Sequence, residues 1–150
     1  MEKSTKSITK YLEGLSKKDQ EVFNVLLNIV YSINPNIKGS IYTGKFWNGS
    51  DQNIIAFKDI SMIKADKTQV EWFALGLARQ KNYFSIYVNV YNNDNIPLIE
   101  VYKSRLGKVK TSKTSLNFTK LESVNLDILT ELFKQALKMW KKIIVKVAKK

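Results

Sequence analysis

The residues with the most suggestive chemical spacing lie in the stretch LGKVKTSKTSLNF, Leu106 to Phe118. Gly107 is followed by four residues and then by Ser112, Lys113 and Thr114. A phosphate-binding loop has a glycine, four residues, a second glycine, a lysine and a serine or threonine. Its backbone amides wrap the phosphates and its lysine meets their charge. Ser112 stands in place of the second glycine, so close wrapping of the backbone is less free. Such a loop also needs a strand before it and a helix after it, so that amides at the helix N-terminus face the phosphates. The patterning here runs the other way, with a helical stretch, LIEVYKSRL, before Gly107 and a strand, SLNFTKL, after it. Gly107 is expected to end a helix. What survives is weaker: Lys108, Lys110 and Lys113 with Thr111, Ser112 and Thr114 can hold an anion on a loop and strand end, or can be a solvated basic turn.

The chain contains neither cysteine nor histidine. That excludes thiolate nucleophiles, disulfides, thiolate metal sites and the imidazole base of a serine triad. Any catalysis must come from Asp, Glu, Lys, Tyr or Ser, and a non-enzymatic role is expected. No cofactor or metal is expected from the residues themselves.

The formal net charge is +12. Lys103, Arg105, Lys108, Lys110, Lys113 and Lys120 fall between Val101 and Leu121 with no acid among them. Lys134, Lys138, Lys141, Lys142, Lys146, Lys149 and Lys150 fall between Leu132 and the end, again with no acid. The basicity therefore belongs to the C-terminal third. A surface of this kind faces anions: nucleic acid, acidic lipid or an acidic protein. The charge is carried by 23 lysines and only two arginines, Arg79 and Arg105. Arginine is the residue that reads phosphate and guanine by paired contacts, so any nucleic-acid binding is expected to be non-specific. Compositional bias of an AT-rich coding sequence is the competing explanation for the lysines.

The elements that must position these residues follow from the patterning. One domain is expected, 1–138, with 139–150 as a basic amphipathic extension of the last helix. A helix is expected over Ser4–Gly14. A second begins at Ser16, a good N-cap with Asp19 three residues on, and carries Val22, Phe23, Leu26, Leu27, Val30 and Ile33 at 3–4 spacing before Pro35 stops it. GSIYTGKFW reads as a weak strand, and NIIAF (Asn53–Phe57) and ISMIK (Ile60–Lys64) as short strands. VEWFALGL (Val70–Leu77) and YFSIYVNV (Tyr83–Val90) flank the polar turn ARQKN as a hairpin. In its second strand Phe84, Ile86, Val88 and Val90 share one face, and Tyr83, Ser85, Tyr87 and Asn89 the other. A helix with Pro97 in its first turn and a strand with Leu116 and Phe118 on one face come next. The last helix is expected from Asn125 to near Val147. Its apolar stripe runs through Leu126, Leu129, Phe133, Ala136, Trp140, Ile143 and Val147, roughly 33 Å at 1.5 Å per residue. The order predicts an α+β fold: an antiparallel β-sheet packed with helices and a long C-terminal helix.

With these residues in view, the chain resembles the YdhG-like family, a bacterial domain of unknown function. YLEGLSKKDQEVFNVLLNIV is similar to that family's opening helix pair. WFALGLARQKNYFSIYV and IEVYKSRLGKVKTSKTSLNFTKLESVNLDILTELFKQAL are similar to its later blocks, in which Gly76, Arg79, Asn82, Leu106, Gly107, Lys108, Lys110, Thr111, Lys113, Leu121, Val124, Leu126, Asp127 and Leu129 match. Ser112 stands where the family has glycine, Ser115 where it has cysteine, and Val109 where it has histidine. The resemblance implies a small α+β domain and, for one branch, a frataxin-like iron chaperone. Iron of that kind is held by carboxylates or imidazoles, and the helix after Ser16 offers only Asp19 and Glu21.

Taken together, a cytoplasmic binding or chaperone-like domain is expected, with a small anionic ligand or an acidic protein as partner. The ligand is expected between Trp72, Tyr83 and Tyr87 of the sheet, Arg79, and the loop Lys108, Lys110, Thr111, Ser112, Lys113 and Thr114. Non-specific nucleic-acid binding and iron delivery are the alternatives. Contact of 139–150 with a membrane surface is not expected, and the oligomeric state is left open.

Overall fold

Two serines start the first two helices. The computed structural model describes residues 2–4, 7–45, 51–63, 66–139 and 145–146. Glu2–Ser4 forms a short strand, β1, so the helix expected from Ser4 begins later, at Ile8. The Ser7 hydroxyl accepts from the Lys10 amide at 3.1 Å and opens α1, Ile8–Glu13. The Ser16 hydroxyl accepts from the Asp19 amide at 3.1 Å and opens α2, Lys17–Ile33. Asp19 also places a negative charge in the first turn, where the helix dipole favours it. Helix α2 ends at Asn34, ahead of Pro35, because a residue before proline avoids helical geometry. Ser16→Ala removes an N-cap and is expected to lower stability by about 1 kcal/mol, read as a fall of roughly 2–4 °C in the thermal midpoint.

The sheet follows: β2 (Gly39–Lys45), β3 (Asp51–Ile63), β4 (Gln69–Arg79), β5 (Phe84–Val88), then α3 (Leu98–Tyr102), β6 (Lys110–Thr111), β7 (Ser115–Phe118), α4 (Leu126–Met139) and β8 (Val145–Lys146). Strands lie in the order β1-β2-β3-β4-β5-β7-β6, with every neighbouring pair antiparallel. The expected α+β architecture is what the chain adopts. The two strands expected in 53–64 are one strand of 13 residues. Lys58 in its middle takes a left-handed φ of 69°, and pairing with β4 resumes on both sides, Phe57 with Leu75 and Asp59 with Phe73.

The register sorts side chains into two faces. Ile41, Ile55, Leu77, Ile86 and Leu116 fall in one row across β2-β3-β4-β5-β7. All five are fully buried. Helix α2 packs on this face: Phe23 meets Phe84 edge-on at 5.7 Å between ring centres, and Tyr31 meets Phe57 at 6.1 Å. Helix α4 contacts both α2 and β4, and contributes the buried Leu129, Leu132, Phe133 and Ala136. The apolar alternation of β5 therefore faces the helices as its pattern predicts.

Helix α4 is shorter than its stripe suggests. It ends at Met139, and Val145–Lys146 pairs in parallel with Met62 and Ile63 of β3 instead of continuing the helix to Val147. Ile143, Ile144 and Val145 are β-branched and stiff at χ1, which disfavours a helix and suits a strand. Trp140, Ile143, Ile144 and Val147, expected on the continuing stripe, lie outside the described residues. Among the described residues no helix is long and apolar enough to cross a membrane.

Candidate functional site

On the other face, Tyr42, Ile54, Ala78, Ser85, Asn117 and Lys110 form one row across six strands, and Ser40, Ala56, Gly76, Tyr87 and Ser115 the next. Its centre is built from small residues: Ala56, Gly76, Ala78 and Ser85. They leave a hollow, and Phe73 fills it. A Cβ on Gly76 would lie 2.5 Å from Phe73 Cε1 and 2.8 Å from Ile54 Cγ2. Successive strand residues normally point to opposite faces. Here Trp72 and Phe73 stack at 4.7 Å with an interplanar angle of 25°, and both rings meet Tyr42. The strand departs from alternation where Lys58 of the neighbouring strand takes its left-handed φ.

Beside these rings the chain forms a cleft of about 210 Å³ lined by Trp72, Phe73, Tyr87, Asn89, Ser112, Thr114 and Ser115. The short β6–β7 hairpin supplies the hydroxyls. The Ser112 amide donates to Ser115 O at 2.9 Å and the two hydroxyls are 2.7 Å apart. Thr114 O accepts from the Val88 amide at 2.8 Å, which ties the hairpin turn to β5. Asn89 Nδ2 donates to Phe73 O at 2.9 Å. Tyr87 is the ionisable group among the described residues of this lining. Its hydroxyl is pushed above the usual tyrosine range chiefly by burial, while hydrogen bonds from Ser85 and Gln80 pull the other way and Tyr83 adds to the rise. It is neutral at pH 7. Tyr42 is raised as well, first by burial and then by the charges of Asp59 and Glu71.

A polar network underlies the cleft. Gln52 and Gln80 pair through both amides, at 3.0 and 2.9 Å. Gln80 Nε2 also donates to the Tyr87 hydroxyl at 3.1 Å, and Ser85 Oγ donates to Asn117 Oδ1 at 2.7 Å. These links join β3, the end of β4, β5 and β7 by side chains as well as by the ladder.

The same face continues into a second cleft, about 400 Å³, lined by Tyr83, Lys108, Lys110, Asn117, Phe118 and Thr119. Tyr83 is 39% exposed and both lysines are exposed. Of the residues expected at the site, the structure thus places Trp72, Tyr87, Ser112 and Thr114 on one cleft, and Tyr83, Lys108 and Lys110 on its neighbour. Thr111 and Lys113 are exposed and line neither. Arg79 is elsewhere, on the helix-covered face. Its Nε meets Asp19 Oδ2 at 2.9 Å, its Nη1 donates to the carbonyls of Gln80 and Tyr83, and its Cζ sits 4.7 Å over the Phe84 ring. It clamps α2 to the β4–β5 turn and lines a different, larger groove of about 870 Å³ with Val22, Val25 and Leu121.

Phe73, Asn89 and Ser115 belong to the first cleft and were not legible as site residues. Asn89 shares the parity of Tyr87, and Ser115 alternates with the buried Leu116, so period-two patterning marks their face. Phe73 escapes that signal because the strand is irregular there.

Of the basic residues before Leu121, Lys103 pairs with Glu100 at 2.9 Å and Arg105 lies 5.0 Å over the Tyr102 ring. Lys108 and Lys110 face the second cleft, Lys120 lines the larger groove and Lys113 is exposed. Lys134 and Lys138 are exposed on α4, while Lys141, Lys142, Lys149 and Lys150 lie outside the described residues. Among the described residues no three acids come together in a group suited to a metal ion. No family model matches the chain, and neither a curated protein nor a solved structure matches it.

Proposed function

We propose that this chain is a small-ligand binding domain of the cytoplasm, not an enzyme, and that an anionic small molecule sits on the polar face of its sheet. The observation that carries this is the juxtaposition of an uncharged aromatic and hydroxyl cleft with a lysine-lined cleft on one face, at Trp72, Tyr87, Ser112 and Thr114 and at Lys108 and Lys110. Concave sites with ring faces and a few placed polar groups are where small molecules bind. Among the described residues lining the first cleft there is no carboxylate or amine to serve as a general base, and its tyrosine is neutral at pH 7. Membership of the YdhG-like family is part of this proposal and rests on the sequence blocks alone.

A thermal-shift screen of the whole chain against small phosphates and carboxylates tests it. A ligand at about 100 times its Kd adds roughly 2.7 kcal/mol to stability, or about 5–11 °C in midpoint. Tyr87→Phe and Thr114→Val each remove one polar group, and each is expected to cut the shift produced by a binding compound. Shifts that both variants leave intact would remove the site. Duplex or single-stranded DNA that binds instead, with log K falling by roughly 0.7–0.9 per phosphate contact per tenfold rise in salt, would favour the nucleic-acid alternative.

A further inference from the structure

Resting on that binding reading, we infer that the ligand is a hydroxylated ring carrying one anionic group: a phosphorylated or carboxylated monosaccharide. Three observations fix its two halves and their separation.

The first half follows from the lining of the smaller cleft. Thr114 presents a hydroxyl able to donate and to accept, Ser112 and Ser115, bonded to each other, keep one donor and their remaining acceptor capacity between them, and Asn89 presents an amide whose Nδ2 is already directed to Phe73 O. A row of groups with both characters suits a partner whose own groups have both, which is a ring bearing several hydroxyls. The aromatic part is not a stacking slot. Trp72 and Phe73 stack on each other, and Tyr87 stands edge-on to Phe73 at 6.5 Å and 69°. Among the described residues of the lining no two parallel rings are held apart to receive a planar base. The space, about 210 Å³, equals about seven waters at 30 Å³ each, the scale of one ring and its substituents.

The second half follows from the neighbouring cleft, where Lys108 and Lys110 stand with Asn117 and Thr119. A lysine is a point charge with three donors, fitted to a phosphate or carboxylate. The separation follows from the register. Lys110 pairs with Asn117, which pairs with Ser85, and Ser115 pairs with Tyr87 one row on. Two residues along a strand cover about 7 Å. A ring in the first cleft thus places an anionic substituent within reach of the second, with Asn117 between them.

Calorimetric titration of the full chain at low salt uses five probes: glucose 6-phosphate, glucuronate, glucose, inorganic phosphate and adenosine monophosphate. The expected result is that glucose 6-phosphate or glucuronate binds roughly tenfold or more tighter than glucose or inorganic phosphate, about 1.4 kcal/mol. The stronger of the two identifies the anion. Lys110→Glu is expected to abolish that advantage, and Thr114→Val is expected to weaken the anionic sugar and glucose alike. Both positions lie outside the core, and an unchanged unfolding midpoint checks the fold of each variant. Tightest binding by adenosine monophosphate, lost in Thr114→Val, would overturn the ligand class and leave the cleft standing as a binding site. Binding insensitive to Thr114→Val, or no binding by any probe, would overturn the inference, and the broader screen above decides separately whether the face binds anything.

Discussion

Replacing Gly107 with alanine lowers the thermal midpoint by about 6–12 °C, the equivalent of roughly 3 kcal/mol in a chain of this size. Two costs meet at this position. Its φ is +102°, a conformation L side chains rarely adopt, and holding a non-glycine residue there costs on the order of 1–3 kcal/mol. A Cβ would also stand 2.2 Å from Ser123 O and 3.1 Å from the Asn125 amide. Both contacts are backbone, so no side chain can swing away. The glycine is held there by its surroundings: it bridges to Val124, Lys108 N donates to Ser123 O at 2.9 Å, and Asn125 N donates to Leu106 O at 2.9 Å. These bonds stitch the start of the lysine loop to the entry of α4. Gly14 is the control. It has an ordinary φ of −83° and its nearest neighbour to a new Cβ is 3.5 Å away. Gly14→Ala is expected to be neutral or to stabilise by about 0.4–1 kcal/mol, because alanine restricts the unfolded chain. Urea unfolding of both variants measures the difference, and equal midpoints would refute this account of Gly107.

Gly107 also shows which features of the site the sequence carries. Its role as a terminator is legible because a helical period precedes it and an alternating pattern follows. The structure keeps that order: α3 and a short 3-10 turn, Lys103–Arg105, lead into Gly107, and the β6–β7 hairpin follows it. The same alternation revealed that Ser85, Tyr87 and Asn89 share the sheet face opposite the row of Ile86 and Leu116. Local patterns succeed where a segment's neighbours on the chain are also its neighbours in space. They miss what depends on distant strands. The length of β3 was hidden by Lys58, whose residue type suggests a break that pairing with β4 spans. The turn of Phe73 into the hollow depends on Gly76 and Ala56 being small on two strands at once. The end of α4 depended on a competition between an apolar stripe and β-branched residues, and β3 tips Val145–Lys146 toward a strand. Arg79, expected beside the ligand, has its guanidinium on Asp19, a partner 60 residues earlier that no local pattern reveals.

The polar network beneath the cleft should be the most sensitive link between stability and binding. Gln80→Leu is expected to cost about 2–3 kcal/mol, because it withdraws both halves of the amide pair from Gln52, which is 7% exposed, and a donor from the Tyr87 hydroxyl. A buried polar group that loses one of its bonds keeps the cost of leaving water with less to offset it. Replacing both members removes that debt, so Gln52→Leu with Gln80→Leu is expected to be less destabilised than the sum of the single variants by about 0.5–3 kcal/mol. The same network orients the site. Gln80 directs the Tyr87 hydroxyl, so the double variant, although less destabilised than the two single changes added together, should not recover ligand binding. Stability and affinity therefore part company along this cycle, whereas a purely structural network would restore both together. Urea unfolding supplies one axis and titration with the best-binding probe the other. Additive stabilities would show that the amide pair contributes no coupling, and recovery of affinity in the double variant would show that Gln80 does not position Tyr87 for the ligand.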